Sequence, residues 1–182
     1  MAREGICLVV SPLIALMKDQ VQNLNNKGIK ALAIYSGMPY SKIDITLDNA
    51  IYGDFKFLYV SPERLHTPLF KERVKRMDIN FLVVDEAHCI SQWGYDFRPA
   101  YLEIKEIKKL IGDVPVIALT ATATKSVADD IMRCLDFQVP NVISSGFERK
   151  NLSYVVRNVD DKFGNLLKIC NGVPGTGIVY VR

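Results

Sequence analysis

Residues Phe81 to Arg98, FLVVDEAHCISQWGYDFR, decide how this chain reads. Phe81, Leu82, Val83 and Val84 form a short unbroken apolar run, the pattern of a strand buried on both faces of a parallel sheet. Asp85 and Glu86 follow at once. Open α/β sheets bind ligands at the carboxyl ends of their strands, so these two carboxylates stand where a nucleotide and its metal would lie. A few residues on, Trp93, Tyr95 and Phe97 interleave with Gly94, Asp96 and Arg98. An acidic, metal-type edge therefore runs directly into an aromatic and basic loop.

The sequence on either side supplies the rest of an alternating pattern. Ile6 to Val10 reads as a buried strand, and Ser11-Pro12 predicts a helix start, with serine as N-cap and proline at the first helical position. Leu13, Leu16, Met17, Val21 and Leu24 then recur at helical spacing until Gly28. Ala31 to Tyr35 predicts a second strand, the residues after Gly37 to about Ile51 a helix, and Lys56 to Val60 a third strand. That strand runs into another Ser-Pro pair, Ser61-Pro62, and Pro68 to Met77 follows as a helix. Beyond the central strand, a helix is expected from about Tyr101 to Ile111, a strand at Val114 to Leu119, and a helix from Lys125 to Leu135 after the stretch TATAT. Strands alternating with helices at this spacing imply βαβ units and an α/β fold with a parallel sheet.

Past Pro140 the organisation changes. Val142 to Ser145 and Leu152 to Val156 read as extended, Asp160 to Cys170 as a helix, and Gly177 to Val181 as a last strand. A sheet needs several strands, so this tail is expected to open a second domain.

Composition narrows the class. The chain has 182 residues, 49% hydrophobic and 24% charged, with a formal net charge of +3. That describes a globular protein and permits an acidic partner without requiring one. The densest basic cluster, Lys71, Arg73, Lys75 and Arg76, reads first as a solvated helix face. Four scattered cysteines without a C-x-x-C pair, and two histidines, argue against zinc and for reduced thiols in a cytosol. No apolar stretch reaches membrane-spanning length.

A magnesium ion that works on phosphates keeps most of its waters and takes one or two protein carboxylates. Asp85 is the candidate ligand, directly or through water. Glu86 points elsewhere and could accept a proton from a water attacking a γ-phosphate. An Asp-Glu pair at a strand end is also a common structural feature, and His88 alone reads equally as a packing residue. Trp93, Tyr95 and Phe97 alternate as a half-buried strand would, but Gly94 and Pro99 oppose that reading. Such rings can stack on unpaired bases, with Arg98 on a phosphate or base face. Ser11 and Ser61, at helix starts, could each hold a backbone phosphate or serve only as caps. Thr120 and Thr122 could hydrogen-bond to His88 or the acid pair.

Taken together, SPLIALMKDQV, YVSPERL, VVDEAHCISQWGYDFRPAY and ALTATAT, in this order and spacing, closely resemble the RecQ family of ATP-dependent DNA helicases of superfamily 2. The resemblance covers essentially the whole chain; C-I-S-Q-W-G followed by D-F-R-P is its specific part. It implies an incomplete RecA-like motor domain over residues 1–145, with helices on both faces of a parallel sheet. Residues 146–182 would be a linker and the beginning of a second RecA-like domain. It implies that Asp85 and Glu86 serve magnesium and ATP hydrolysis and that His88 relays nucleotide state. Ser91, Gln92, Trp93, Tyr95, Phe97 and Arg98 would sense single-stranded DNA, while Ser11, Leu13 and the Ser61 to Arg64 turn would contact the strand. Thr120 and Thr122 would take part in coupling. The implied partners are single-stranded DNA and duplex junctions in recombination and repair, in a bacterial cytosol or nucleoid.

Two departures stand out. The family motif has histidine between Gly94 and Asp96; here Tyr95 keeps a ring without an imidazole. The sequence also contains no G-x-x-x-x-G-K-[ST] phosphate-binding loop, GVPGTG at Gly172 to Gly177 being its only glycine-rich stretch. The expectation is a helicase fragment that neither hydrolyses ATP at a useful rate nor unwinds DNA alone, and that self-associates through unpaired sheet edges. Two other readings compete. An RNA helicase shares Asp85 to His88 but has no reason for the aromatic loop, and a nonenzymatic module could bind single strands through that loop.

Overall fold

The computed structural model describes residues 4–92, 96–139, 141–144, 146 and 149–181. Trp93 and Tyr95 of the expected loop lie outside the described residues. The chain divides into two units, residues 1–140 and residues 141–182.

In the first unit, five strands form one parallel sheet: β1 (Ile6–Val10), β2 (Ala31–Ile34), β3 (Phe57–Val60), β4 (Ile79–Val84) and β5 (Val116–Ala118), in the spatial order β2-β3-β1-β4-β5. Helices α1 (Ile14–Asn26), α2 (Tyr40–Tyr52), α3 (Pro62–Leu65), α4 (Pro68–Val74), α5 (Ile104–Ile111) and α6 (Lys125–Cys134) connect the strands or follow them. Alternation along the strands explains the two-sided core. Leu8, Val10, Leu58, Val60, Leu82 and Val84 join Leu47 of α2, Phe70 of α4, Ile107 of α5 and Ile131 of α6 in the larger cluster. Cys7, Val9 and Tyr59 face the other way, onto Met17 of α1. Every residue of β1 is buried because it lies between β3 and β4 with helices on both faces.

Strand order fixes what the carboxyl edge can bring together. β1 connects through α1 to β2 on one side, and the chain later crosses to β4 on the other, so the ends of β1 and β4 are neighbours at the point where strand order reverses. At the α1–β2 turn, Gly28 takes φ 75°, a left-handed value that suits glycine. Asn25 then closes the turn by donating to Ala31 O (3.2 Å) and accepting from Ala31 N (2.9 Å).

Three expectations need correction. Ser11 is not the cap of α1: the chain bends at Pro12, Leu13 takes the N-cap position with extended dihedrals, and the helix begins at Ile14. The Ser11 hydroxyl is turned across the sheet toward a carboxylate instead. The helix expected from Tyr101 begins as a 3₁₀ turn, Pro99–Glu103, before α5. In the second unit, no strand occurs among the described residues. Leu152 to Val156 and Gly177 to Val181 have no ladder partner there, and Val156 (97%) and Tyr180 (90%) stand open to solvent. The helix α7 (Lys162–Gly172) does form, capped by Asp161, which accepts from Gly164 N at 2.8 Å.

The basic cluster is largely neutralised, as a structural face would be. Arg73 pairs with Asp44 at 2.8 Å and with Asp48, Lys71 meets Glu103 at 2.8 Å, and Arg76 lies over the Tyr52 ring. Among the described residues, no helix is long and apolar enough to cross a membrane.

Candidate functional site

The carboxyl edge of the sheet carries Ser61 after β3, Ser11 after β1, Asp85 after β4 and Thr120 after β5. The ladder holds β4 to its end, Asp85 N donating to Val10 O at 2.9 Å. Ser11, itself buried, gives its hydroxyl proton to Asp85 Oδ2 at 3.0 Å, while Glu86 N donates to Asp85 Oδ1 at 3.0 Å. Both carboxylate oxygens are thus oriented, and each keeps lone-pair capacity.

Glu86 occupies left-handed backbone space, φ 49° and ψ 44°. That conformation costs a non-glycine residue about 1 kcal/mol or more and persists only where neighbours over-determine it. Here they do. Ala87 N donates to Leu119 O at 2.9 Å, and the buried Tyr101 hydroxyl donates to Asp85 O at 2.9 Å. The left-handed turn separates the two acids: Asp85 faces Ser11, and Glu86 Oε2 comes within 3.3 Å of His88 Nδ1.

His88 Nδ1 is also 3.0 Å from Thr120 Oγ1. The threonine hydroxyl accepts from Thr122 N (3.2 Å) and donates toward Thr122 O (3.4 Å), which assigns the ring proton to Nδ1 as the donor to Thr120 and Glu86. A polar line therefore runs from Glu86 through His88 to the end of β5.

The loop begins just after His88, the middle member of this line. Ala87–Ile90 forms a 3₁₀ turn, and Arg98 N donates to Cys89 O at 3.0 Å, pinching the loop at its base. Arg98 grips Asp96 Oδ2 with Nε (3.0 Å) and Nη2 (2.8 Å). That hydrogen bond holds the Asp96 carboxyl below the usual range and raises the guanidinium further. Ser91 is buried and donates to Asp130 Oδ2 on α6 at 2.8 Å, whereas Gln92 is exposed and Phe97 half-buried.

Not every expected residue joins this group. Arg64 donates to Tyr35 O at 3.2 Å, at the far end of the sheet beyond β3 and β1, roughly 14 Å away at normal strand spacing. Ser61 occupies the N-cap position of α3 as expected, but its buried hydroxyl caps nothing and has no partner among the described residues. Leu13 is 45% exposed beside Ser11. Conversely, Tyr101 and Asp130 are not among the residues the sequence marks for the site: a tyrosine at the expected start of a helix and an aspartate on an amphipathic helix look ordinary.

Burial pushes the Cys7 thiol up to about 11, and burial with the nearby Asp96 charge does the same for Cys89. A thiol whose folded pKa is raised favours the protonated native state, so its contribution is complete below the unfolded pKa and is lost as pH rises toward the folded one. Urea stability should therefore decline between about pH 9 and pH 11, and the Cys7→Ala/Cys89→Ala double variant should decline less steeply over that window. Identical slopes would exclude the thiols as the cause.

The sequence matches the family model for the DEAD/DEAH box helicase over residues 2–131. It is 40% identical over 181 residues, 97% of its length, to the ATP-dependent DNA helicase RecQ of Pasteurella multocida. To the ATP-dependent DNA helicase RecQ of Bacillus subtilis it is 44% identical over 179 residues, again 97% of its length. The chain spans 28% and 30% of those relatives. In three dimensions it is similar to the Hef helicase domain of Pyrococcus furiosus, with a TM-score of 0.55 at 18% identity over 76% of this chain and 28% of that one, a likeness of fold.

Proposed function

Because the chain belongs to the DEAD/DEAH box helicase family, we propose that it is part of a longer ATP-dependent DNA helicase of the RecQ type that acts on single-stranded DNA and duplex junctions in the cytosol or nucleoid. Residues 1–145 would form the nucleotide-binding side of one RecA-like motor domain, and residues 146–182 a linker and the opening of the next. The reading is carried by one observation: the acid pair, His88 and Thr120 form a continuous polar line along the sheet edge, and the Cys89–Arg98 loop base follows directly from it.

Asp85 suits magnesium bound through water. A hard cation that keeps its waters needs one or two carboxylates, and among the described residues no cluster of three acids, histidines or cysteines offers a closed cage. The ion, when bound with ATP, supplies charge for the phosphates. Ser11 and the Glu86 amide hold the Asp85 carboxylate in a fixed direction, as a ligand to such an ion would need. Glu86, turned away by its left-handed backbone, would take the proton of the attacking water. His88 holds Glu86 and carries any change in its position to Thr120.

Leu13 and Arg64 would face a DNA backbone at the carboxyl end of the sheet, the buried Ser11 and Ser61 contributing through the turns that carry them. Gln92, Phe97 and Arg98, with Trp93 and Tyr95, would meet the unpaired bases, the buried Ser91 would couple their loop to the sheet edge, and Thr122 would support Thr120 in coupling. The outer edge of β5 pairs with no other described strand, and Ile117 and Leu119 are about half exposed there. An additional strand, from the longer protein or from a second copy of the chain, fits that edge. Since the 182 residues contain no G-x-x-x-x-G-K-[ST] cradle for the phosphates, the chain alone is proposed to be inactive.

The test compares the longer protein with the 182-residue chain in ATP hydrolysis, with single-stranded DNA, duplex DNA and RNA as activators. Hydrolysis by the longer protein should rise with single-stranded DNA, and the chain alone should show none above background. Activation by RNA and not DNA would overturn the DNA assignment, and turnover by the chain alone would overturn its inactivity.

A further inference from the structure

We infer that Asp130, a residue outside the acid pair and its loop, is a positioning residue that fastens the start of the loop to α6. The inference rests on the functional reading above. Asp130 Oδ2 accepts the Ser91 hydroxyl at 2.8 Å, and its other oxygen is taken by Arg133 one turn along the same helix, so the carboxylate is fixed in direction. A hydroxyl donating to a charged acceptor is among the stronger hydrogen bonds a side chain makes. Both partners are shielded from water: Ser91 is 1% exposed and the Asp130 side chain 13%.

The consequence comes from what else the same segment holds. α6 begins at its cap Thr124, four residues after Thr120, and packs through Val127 and Ile131 against the 3₁₀ turn Ala87–Ile90. Thr120 grips His88 and Asp130 grips Ser91. Residues 120–130 thus hold residues 88–91 at both ends, closing a ring in which one path is covalent and the other is a helix with its cap. A strain applied to the loop at Ser91 then reaches α6 and Thr120 together with His88, rather than being absorbed by a flexible hinge. Without Asp130 the covalent path remains but the second is cut.

Two measurements decide this. In the 182-residue chain, amide exchange at Ser91 and Gln92 should quicken about tenfold or more in Asp130→Ala, the scale of a lost hydrogen bond to a charged group. Asp130→Asn, which keeps an acceptor oxygen, should restore most of the protection, while amides of β1 and β4 stay as in the parent. Unchanged exchange at Ser91 and Gln92, or equal loss across the sheet, would overturn the tether. In the longer protein, Asp130→Ala should lower the maximal DNA stimulation of ATP hydrolysis about tenfold, with single-stranded DNA affinity held within twofold. Ser91→Ala should lower that stimulation as well, and the double variant should stimulate no worse than either single one. Stimulation kept within twofold, or single effects that multiply, would overturn the positioning role. If the parent itself shows no DNA stimulation, the functional reading fails and so does the positioning role that depends on it, whereas the exchange result still decides whether Asp130 holds Ser91.

Discussion

Glu86→Gln should reduce ATP turnover by the longer protein roughly 10²- to 10⁴-fold, the range for loss of a positioned general base. The amide has nearly the shape of the carboxylate but cannot take a proton at neutral pH. Its backbone position is held independently of the side chain, by Ala87 N on Leu119 O and by Tyr101 on Asp85 O. The substitution therefore leaves the left-handed turn and the Ser11–Asp85 bond in place. ATP affinity should stay within a few-fold, because Glu86 sits against His88 rather than beside Asp85. Single-turnover hydrolysis and nucleotide binding, measured separately, check both halves. Turnover within tenfold of the parent would remove Glu86 from the role of base, and a matching collapse of binding would make its role structural.

The second large effect concerns stability. Tyr101→Ala should destabilise the 182-residue chain by about 3–5 kcal/mol, as for other large aromatic truncations in a core. Tyr101 is wholly buried in the larger cluster, and its hydroxyl is a partner of the Asp85 carbonyl. Burial also raises its phenol well above the ordinary value, so it remains a donor at all working pH. Tyr101→Phe separates the two contributions. It fills the space but leaves that carbonyl without this donor, a loss of roughly 1–3 kcal/mol. Urea unfolding of the two variants checks the order, and a phenylalanine variant as unstable as the alanine one would show that the hydroxyl, not the ring, holds this region.

Local pattern made much of this legible. The short apolar runs of β1, β3 and β4 and the helical spacings of α2 and α6 lie close to where the sequence predicts them, because each depends on near neighbours in the chain. The repeated Ser-Pro pair shows where such reasoning stops. At Ser61 the helix begins on the next residue; at Ser11 the same pair is followed by a bend and the helix begins only at Ile14, the hydroxyl being directed to a carboxylate beyond another strand. In the tail, apolar segments with strand-like composition stay unpaired because a strand is completed by its neighbour, not by its own residues.

By itself the sequence determined an α/β chain with an acid pair at the end of a buried strand and an aromatic loop a few residues further on. Tertiary structure alone decided who touches whom at that edge. Ser11 meets Asp85 across 74 residues, Thr120 meets His88 across 32 and Asp130 meets Ser91 across 39. The physical reason is that periodicity says which face a side chain takes but not which strands lie side by side. Many strand orders satisfy the same alternation, and only the packed order β2-β3-β1-β4-β5 brings these pairs within hydrogen-bonding distance.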